Sequence, residues 1–170
     1  MKAASVRAIV DALNWAQARY LIVGGLAVVA HGYVRYTSDV DLVIALDPEN
    51  VLRALRAMES LGFQPRIPVS LESFADAALR QQWMEEKGMV VFQLFSDAHV
   101  ETPVDVFITM PFDFDLQWSR ANWLMTAGGA KAPVVALDQL LAMKRAVARG
   151  QDLIDVEKLC KLRDNPIKPS

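Results

Sequence analysis

Asp39 and Asp41 stand two residues apart at the head of the apolar, β-branched run Val40–Ala45, and Asp105 stands inside a second such run, Val104–Ile108. Side chains alternate across a strand, so the first two carboxylates project to one side, about 7 Å apart along the chain, and can share a ligand. A carboxylate within a β-type run carries a desolvation cost unless a cation or hydrogen bonds offset it. Acidic groups in such positions suit Mg²⁺, which prefers hard oxygen ligands at about 2.0–2.1 Å and keeps waters and phosphate oxygens in its shell. Two such ions would bring an attacking and a leaving oxygen into line. Asp97 and Glu101 are the alternatives to Asp105 for the third position.

Gly24-Gly25 ends an earlier apolar run, Tyr20–Val23. Without β-carbons the pair lets backbone approach a phosphate closely, and the short helix that follows offers free amides at its start. Arg35, Thr37 and Ser38, just upstream of the carboxylates, are further phosphate candidates; Arg35 suits either a phosphate or a surface carboxylate. Lys144 continues the helical stripe Leu137, Leu140, Leu141, Val147, Ala148, and its ammonium either snorkels past the core or reaches a triphosphate or Asp155. Asp152 and Asp155, at a helix start after Gly150, read first as helix caps. The second Asp-x-Asp pair, Asp113 and Asp115, follows Pro111 without a β-type run and reads as loop and cap. His31 and His99 are too few for a zinc site, and His31 reads as a packed or hydrogen-bonded helix residue. Trp83, Phe92, Phe95, Trp118 and Trp123 read mainly as core, with one exposed member able to stack a base.

The combination of Gly24-Gly25, thirteen intervening residues, Asp39-Val40-Asp41 with its apolar strand, and Asp105 on a later strand resembles the DNA polymerase β-like nucleotidyltransferase superfamily. The string GGLAVVAHGYVRYTSDVD, with MKRAVARGQDLIDVEKL downstream, is similar to the small bacterial branch that includes the AbiEii-type toxin nucleotidyltransferases. This likeness spans roughly residues 20 to 160. It implies that Gly24 and Gly25 hold a nucleoside triphosphate, that Asp39 and Asp41 bind two metal ions, Mg²⁺ or alternatively Mn²⁺, and that Asp105 completes the set and activates the attacking hydroxyl. The implied reaction moves a nucleoside monophosphate to an acceptor and releases pyrophosphate. The implied partners are the triphosphate, an acceptor that is an RNA end, a protein hydroxyl or a small molecule, and a cognate toxin or antitoxin. The competing reading is a catalytically inactive module of the same fold that binds or regulates a partner.

These groups need elements to hold them. Residues 5–18 carry apolar side chains at helical spacing, Tyr20–Val23 and Val40–Ala45 read as strands, and Leu26–His31 as a short helix between them. Asp47-Pro48 opens a helix that Gly62 closes. Ser70 is read as the N-cap of a helix running to Glu86, and Met89–Phe95 with Val104–Ile108 as a hairpin. Residues 111–130 show no clear pattern; Pro133–Ala136 reads as a strand, and Leu137–Ala148 and Asp152–Leu162 as a C-terminal helical pair within about 137–163. The elements predict a mixed α/β single domain over residues 1–170, and the resemblance implies that its fold is α/β with a mixed β-sheet of nucleotidyltransferase type and flanking helices.

Composition agrees with a folded chain: 53% of residues are hydrophobic and 22% charged, outside the range of disorder. No apolar run reaches the roughly 18 residues that cross a bilayer, and the N-terminal stretch is interrupted by Arg7, Asp11 and Asn14, so a cytoplasmic location is expected. The one cysteine, Cys160, excludes an internal disulfide and reads as structural. The net charge of −2 argues against a broad nucleic-acid footprint, although residues 131–170 carry 8 Lys/Arg against 5 Asp/Glu and could favour phosphate locally.

Overall fold

Val6, Ile9, Val10 and Leu13 form one buried stripe on α1 (Ala3–Trp15), the spacing by which a helix turns a single face to a core. The computed structural model describes residues 1–126 and 128–164. After α1 come β1 (Tyr20–Ile22), α2 (Gly24–Ala30), β2 (Val40–Ile44) and α3 (Pro48–Glu59). The Asp47 side chain accepts the Asn50 N–H at 2.9 Å and Pro48 occupies the first turn, where a missing N–H costs nothing. Asn50 is fully buried and fully used: its amide donates to the Arg19 and Ala45 carbonyls and accepts from the Arg19 N–H. One polar side chain thereby ties α3 to the ends of β1 and β2.

The remaining elements are β3 (Gln64–Pro65), α4 (Ala77–Lys87), β4 (Val91–Phe95), β5 (Val104–Phe107), α5 (Phe114–Ser119), β6 (Asn122–Met125), β7 (Lys131–Val134), α6 (Leu137–Val147) and α7 (Gly150–Asp164). The strands form one mixed sheet in the order β3-β4-β5-β2-β1-β7-β6. β2 runs parallel to β5 and antiparallel to β1, and β4 and β5 form the expected hairpin. α1 packs against α3, while α2 packs on β2 and against α6. The α/β architecture and the C-terminal helical pair are as the sequence predicts.

Several local expectations change: the helices expected from Leu26 and Asp152 begin at Gly24 and Gly150, and two further differences have a visible cause. The helix expected from Ser70 to Glu86 is split: Ser70 caps a 3-10 turn, Leu71–Ala75, and Asp76, with extended backbone, caps α4 by accepting from the Ala78 and Leu79 N–H groups. A second capping side chain inside the run competes with continuous helix. The strand expected at Pro133–Ala136 begins instead at Lys131, because β6 pairs with it from Asn122↔Val134 to Met125↔Lys131. α5 and β6 fill part of the stretch that carried no legible pattern. No helix among the described residues is long and apolar enough to cross a membrane.

Candidate active site

The parallel β2–β5 ladder pairs Val40 with Val104, Asp41 with Asp105 and Leu42 with Val106. Val40, Leu42, Val104 and Val106 go into the core, so the alternating positions turn Asp41 and Asp105 to the opposite face. Asp39 lies two residues earlier in the same phase. One carboxylate oxygen from each of Asp39, Asp41 and Asp105 lies within 4.8 Å of the others. The third acidic position is therefore Asp105, and the neighbouring alternatives, Asp97 and Glu101, are not in this group.

The cluster is electrostatically costly without a cation. Burial, and then repulsion from Asp39 and Asp105, pushes the Asp41 carboxyl up to about 6, against the pull of the Gly25 N–H and Lys144. Burial also raises Asp105, with Asp39 adding to it and Gln93 and Arg66 opposing. Asp105 is 9% exposed; its Oδ2 accepts from Gln93 Nε2 at 3.5 Å and its Oδ1 has no partner among the described residues. Buried acceptors are ordinarily satisfied, and this oxygen retains its acceptor capacity. Gln93 faces Asp105 directly across the β4–β5 pair; nothing local in the sequence distinguishes it, because its role depends on that register.

Gly24 and Gly25 open α2 beside this cluster. Gly24 has φ +60°, and a β-carbon there would overlap the Asp41 carboxylate; one on Gly25 would overlap Thr37 Oγ1. The pair thus lets Asp41 and the 35–38 segment close onto the start of α2. The Gly25 N–H lies near enough to Asp41 to favour its charged form.

A second charged cluster adjoins the first. Arg35 donates Nε and Nη2 to the two oxygens of Asp155 at 2.7 and 2.8 Å, and Nη1 to the Tyr36 carbonyl at 2.8 Å. Lys144 Nζ lies 2.8 Å from Asp152 and 2.8 Å from Asp155, and Gln151 Nε2 donates to Asp155 at 2.9 Å. Asp155 has no solvent exposure, which corrects its reading as a helix cap: its carboxylate joins α7, α6 and the 35–38 segment. Burial alone would raise its pKa, but the bonds from Arg35, Lys144 and Gln151 outweigh that and hold it below the ordinary carboxylate range. Asp152 does cap, accepting the Arg149 N–H at 3.3 Å, and pairs with Lys144 as well. Of the alternatives for Arg35 and Lys144, both make carboxylate pairs, and Arg35 finds a buried partner and not a surface one. Two cations and two carboxylates leave this group neutral, as a buried set must be to avoid a large desolvation cost.

Both clusters border a cavity of about 510 Å³, lined also by Gly24, Gly25, Thr37 and Ser38. Tyr36, Phe107 and Met143 line it too, none of them marked by a sequence motif. Of the aromatic residues expected to include a base-stacking member, Trp83 and Phe92 are core, Phe95 and Trp123 are more exposed, and none of the five borders this cavity. Asp113 caps α5 through the Leu116 N–H and Asp115 pairs with Arg19, as expected of a non-catalytic pair. His31 bonds the Val135 carbonyl at 2.8 Å.

No family model and no curated protein sequence matches the chain. Solved structures do. The antibiotic-resistance factor ANT(2'')-Ia superposes with a TM-score of 0.61 at 14% identity, covering 94% of this chain and 82% of its own. A putative nucleotidyltransferase from Thermotoga maritima gives 0.56 at 16% identity, covering 92% and 91%, and the lincosamide antibiotic adenylyltransferase LnuA gives 0.55 at 14%, covering 89% and 91%. At such identities the likeness is one of fold, and the fold of this chain is that of these nucleotidyltransferases.

Proposed function

We propose that the protein is a divalent-metal-dependent nucleotidyltransferase, moving a nucleoside monophosphate from a nucleoside triphosphate to an acceptor hydroxyl. The observation that carries this reading is the convergence of Asp39, Asp41 and Asp105 within 4.8 Å at a cavity that Gly24, Gly25 and Ser38 also line. These residues fit Mg²⁺: all three donors are hard oxygens, one buried oxygen lacks a partner among the described residues, and mutual repulsion at Asp41 would be relieved by positive charge. When bound, such ions neutralise phosphate charge and orient the reacting oxygens.

The chain's own groups supply positioning, which dominates phosphoryl-group chemistry. Asp105 accepts the proton of the attacking hydroxyl in this scheme. The glycine pair with Thr37 and Ser38 borders the triphosphate tail. Lys144 has three N–H donors; two are held by Asp152 and Asp155, leaving the third for a phosphate oxygen. Arg35, committed to Asp155, acts on the tail through the segment it fixes.

Calorimetric titration of ATP, CTP, GTP and UTP with and without Mg²⁺, on the wild type and an Asp39→Asn/Asp41→Asn double variant, tests the proposal. Metal-linked binding in the wild type alone is expected; nucleotide binding that ignores both metal and aspartates overturns it. Label carried from α-³²P nucleotides into RNA, protein or small-molecule fractions of a cell extract then identifies the acceptor. The antibiotic-resistance factor and the lincosamide antibiotic adenylyltransferase among the structural neighbours support a small-molecule acceptor, whereas the AbiEii-like string supports RNA or protein and a toxin–antitoxin setting.

A further inference from the structure

Half of the Phe, Trp and Tyr side chains, seven of fourteen, stack on another ring. Trp83 and Phe74 pack on Phe92, Phe63 stacks on His99, and Trp118 contacts both Phe114 and Trp123. Tyr36 combines two properties: it is 80% exposed, stacking on no other ring among the described residues, and it lines the cavity of the two charged clusters. Leaving a ring in water at a functional cavity forgoes burial that folding normally secures.

Its backbone is nevertheless held. Arg35, gripped through two bonds by the buried Asp155, donates to the Tyr36 carbonyl at 2.8 Å. On the next residue, Thr37 packs so closely on Gly25 that a β-carbon there would overlap its hydroxyl. The ring is therefore free while the chain beneath it is fixed, which reduces the ordering cost of stacking a ligand on it. Met143 and Val147 of α6 line the same cavity. On the other side of the cluster, Phe107 and Val91 face each other across the β4–β5 pair beside Asp105, the side on which the attacking hydroxyl meets its base in the scheme above.

We infer that Tyr36 is the stacking platform for the nucleobase, with Met143 and Val147 bordering the slot, and that Phe107 and Val91 belong to the acceptor side. The inference rests on the nucleotide reading. Every base has a π face, so such a platform holds all four nucleotides.

The test compares Mg²⁺-dependent binding of ATP and of inorganic tripolyphosphate to the wild type and to Tyr36→Ala, Tyr36→Phe and Phe107→Ala. Tyr36→Ala is expected to weaken ATP by roughly tenfold and to leave tripolyphosphate unchanged, while Tyr36→Phe binds both normally. Because Tyr36 is exposed, its variants are expected to fold, and far-ultraviolet circular dichroism checks this. Unchanged ATP binding in Tyr36→Ala, equal losses for both probes, a Tyr36→Phe loss matching that of alanine, or an ATP-selective loss confined to Phe107→Ala overturns the inference alone. A wild type that binds neither probe removes the nucleotide reading and this inference with it.

Discussion

Asp41 and Asp105 are directly paired across the parallel β2–β5 ladder, so two carboxylates from distant parts of the chain meet on one face, joined there by Asp39. This arrangement has consequences for metal binding, turnover and stability that can be separated experimentally.

Asp105 is expected to matter more for turnover than for nucleotide affinity. Asp105→Asn retains the shape and the Gln93 contact but removes the basic oxygen. Loss of a positioned base lowers turnover by roughly 10²–10⁴-fold. Single-turnover kinetics with the identified acceptor, beside calorimetric affinity for the Mg²⁺ nucleotide, would show a large fall in rate with a smaller change in binding; an unaltered rate excludes Asp105 as the base.

The raised Asp41 carboxyl sets the pH dependence. Its folded value, about 6, lies above the ordinary carboxylate value of about 3.9, so its contribution to stability is fully present below the latter and is lost as pH rises through 6. In metal-free protein, Asp41→Asn is therefore expected to raise Tm at pH 7.5 and to have little effect near pH 4. Metal binding must displace the same proton, so Mn²⁺ affinity should fall about tenfold per pH unit below pH 6. A flat affinity between pH 7 and pH 5 would contradict the assignment.

Asp155 is expected to be structurally indispensable. Asp155→Leu would leave Arg35 without its carboxylate and Lys144 with Asp152 alone, and breaking a buried pair typically costs about 3–5 kcal/mol. The pKa of Asp155 is depressed in the folded state, so its contribution is present above the ordinary carboxylate value and lost as pH falls through its folded one. Urea unfolding at pH 7 should thus show a large wild-type advantage that shrinks in acid. Equal stability of the two proteins at pH 7 would contradict the buried geometry.

Gly24 and Gly88 separate backbone strain from site geometry. Both have positive φ, +60° and +59°, but a β-carbon at Gly24 meets the Asp41 carboxylate and one at Gly88 meets nothing within 4 Å among the described residues. Each alanine substitution should cost about 1–2 kcal/mol from the left-handed backbone. Gly24→Ala should in addition weaken Mn²⁺ binding by displacing Asp41, whereas Gly88→Ala leaves it intact. Equal metal affinity in the two variants would show that the close approach has no role in the site.

Much of this was legible in the residues themselves, because phase and capping are local. The two-residue spacing of Asp39 and Asp41 determines that they share a face wherever the strand lies, Asp47-Pro48 can begin a helix in almost any context, and the α1 stripe announces a buried side. Where two local signals competed, as Ser70 and Asp76 did within one polar run, spacing alone did not show that both would cap.

Relations between distant segments were decided by tertiary packing. Whether Asp105 or a neighbour joins Asp39 and Asp41 depends on the parallel register of β2 and β5, and a shift by one residue would turn it into the core. Asp155 resembles a cap in sequence, but it is buried because α7 lies against α6 and the segment carrying Arg35, a partner 120 residues away. A side chain's type and phase are properties of its own few neighbours, whereas its partner, burial and charge state arise only when the packed elements exclude water around it.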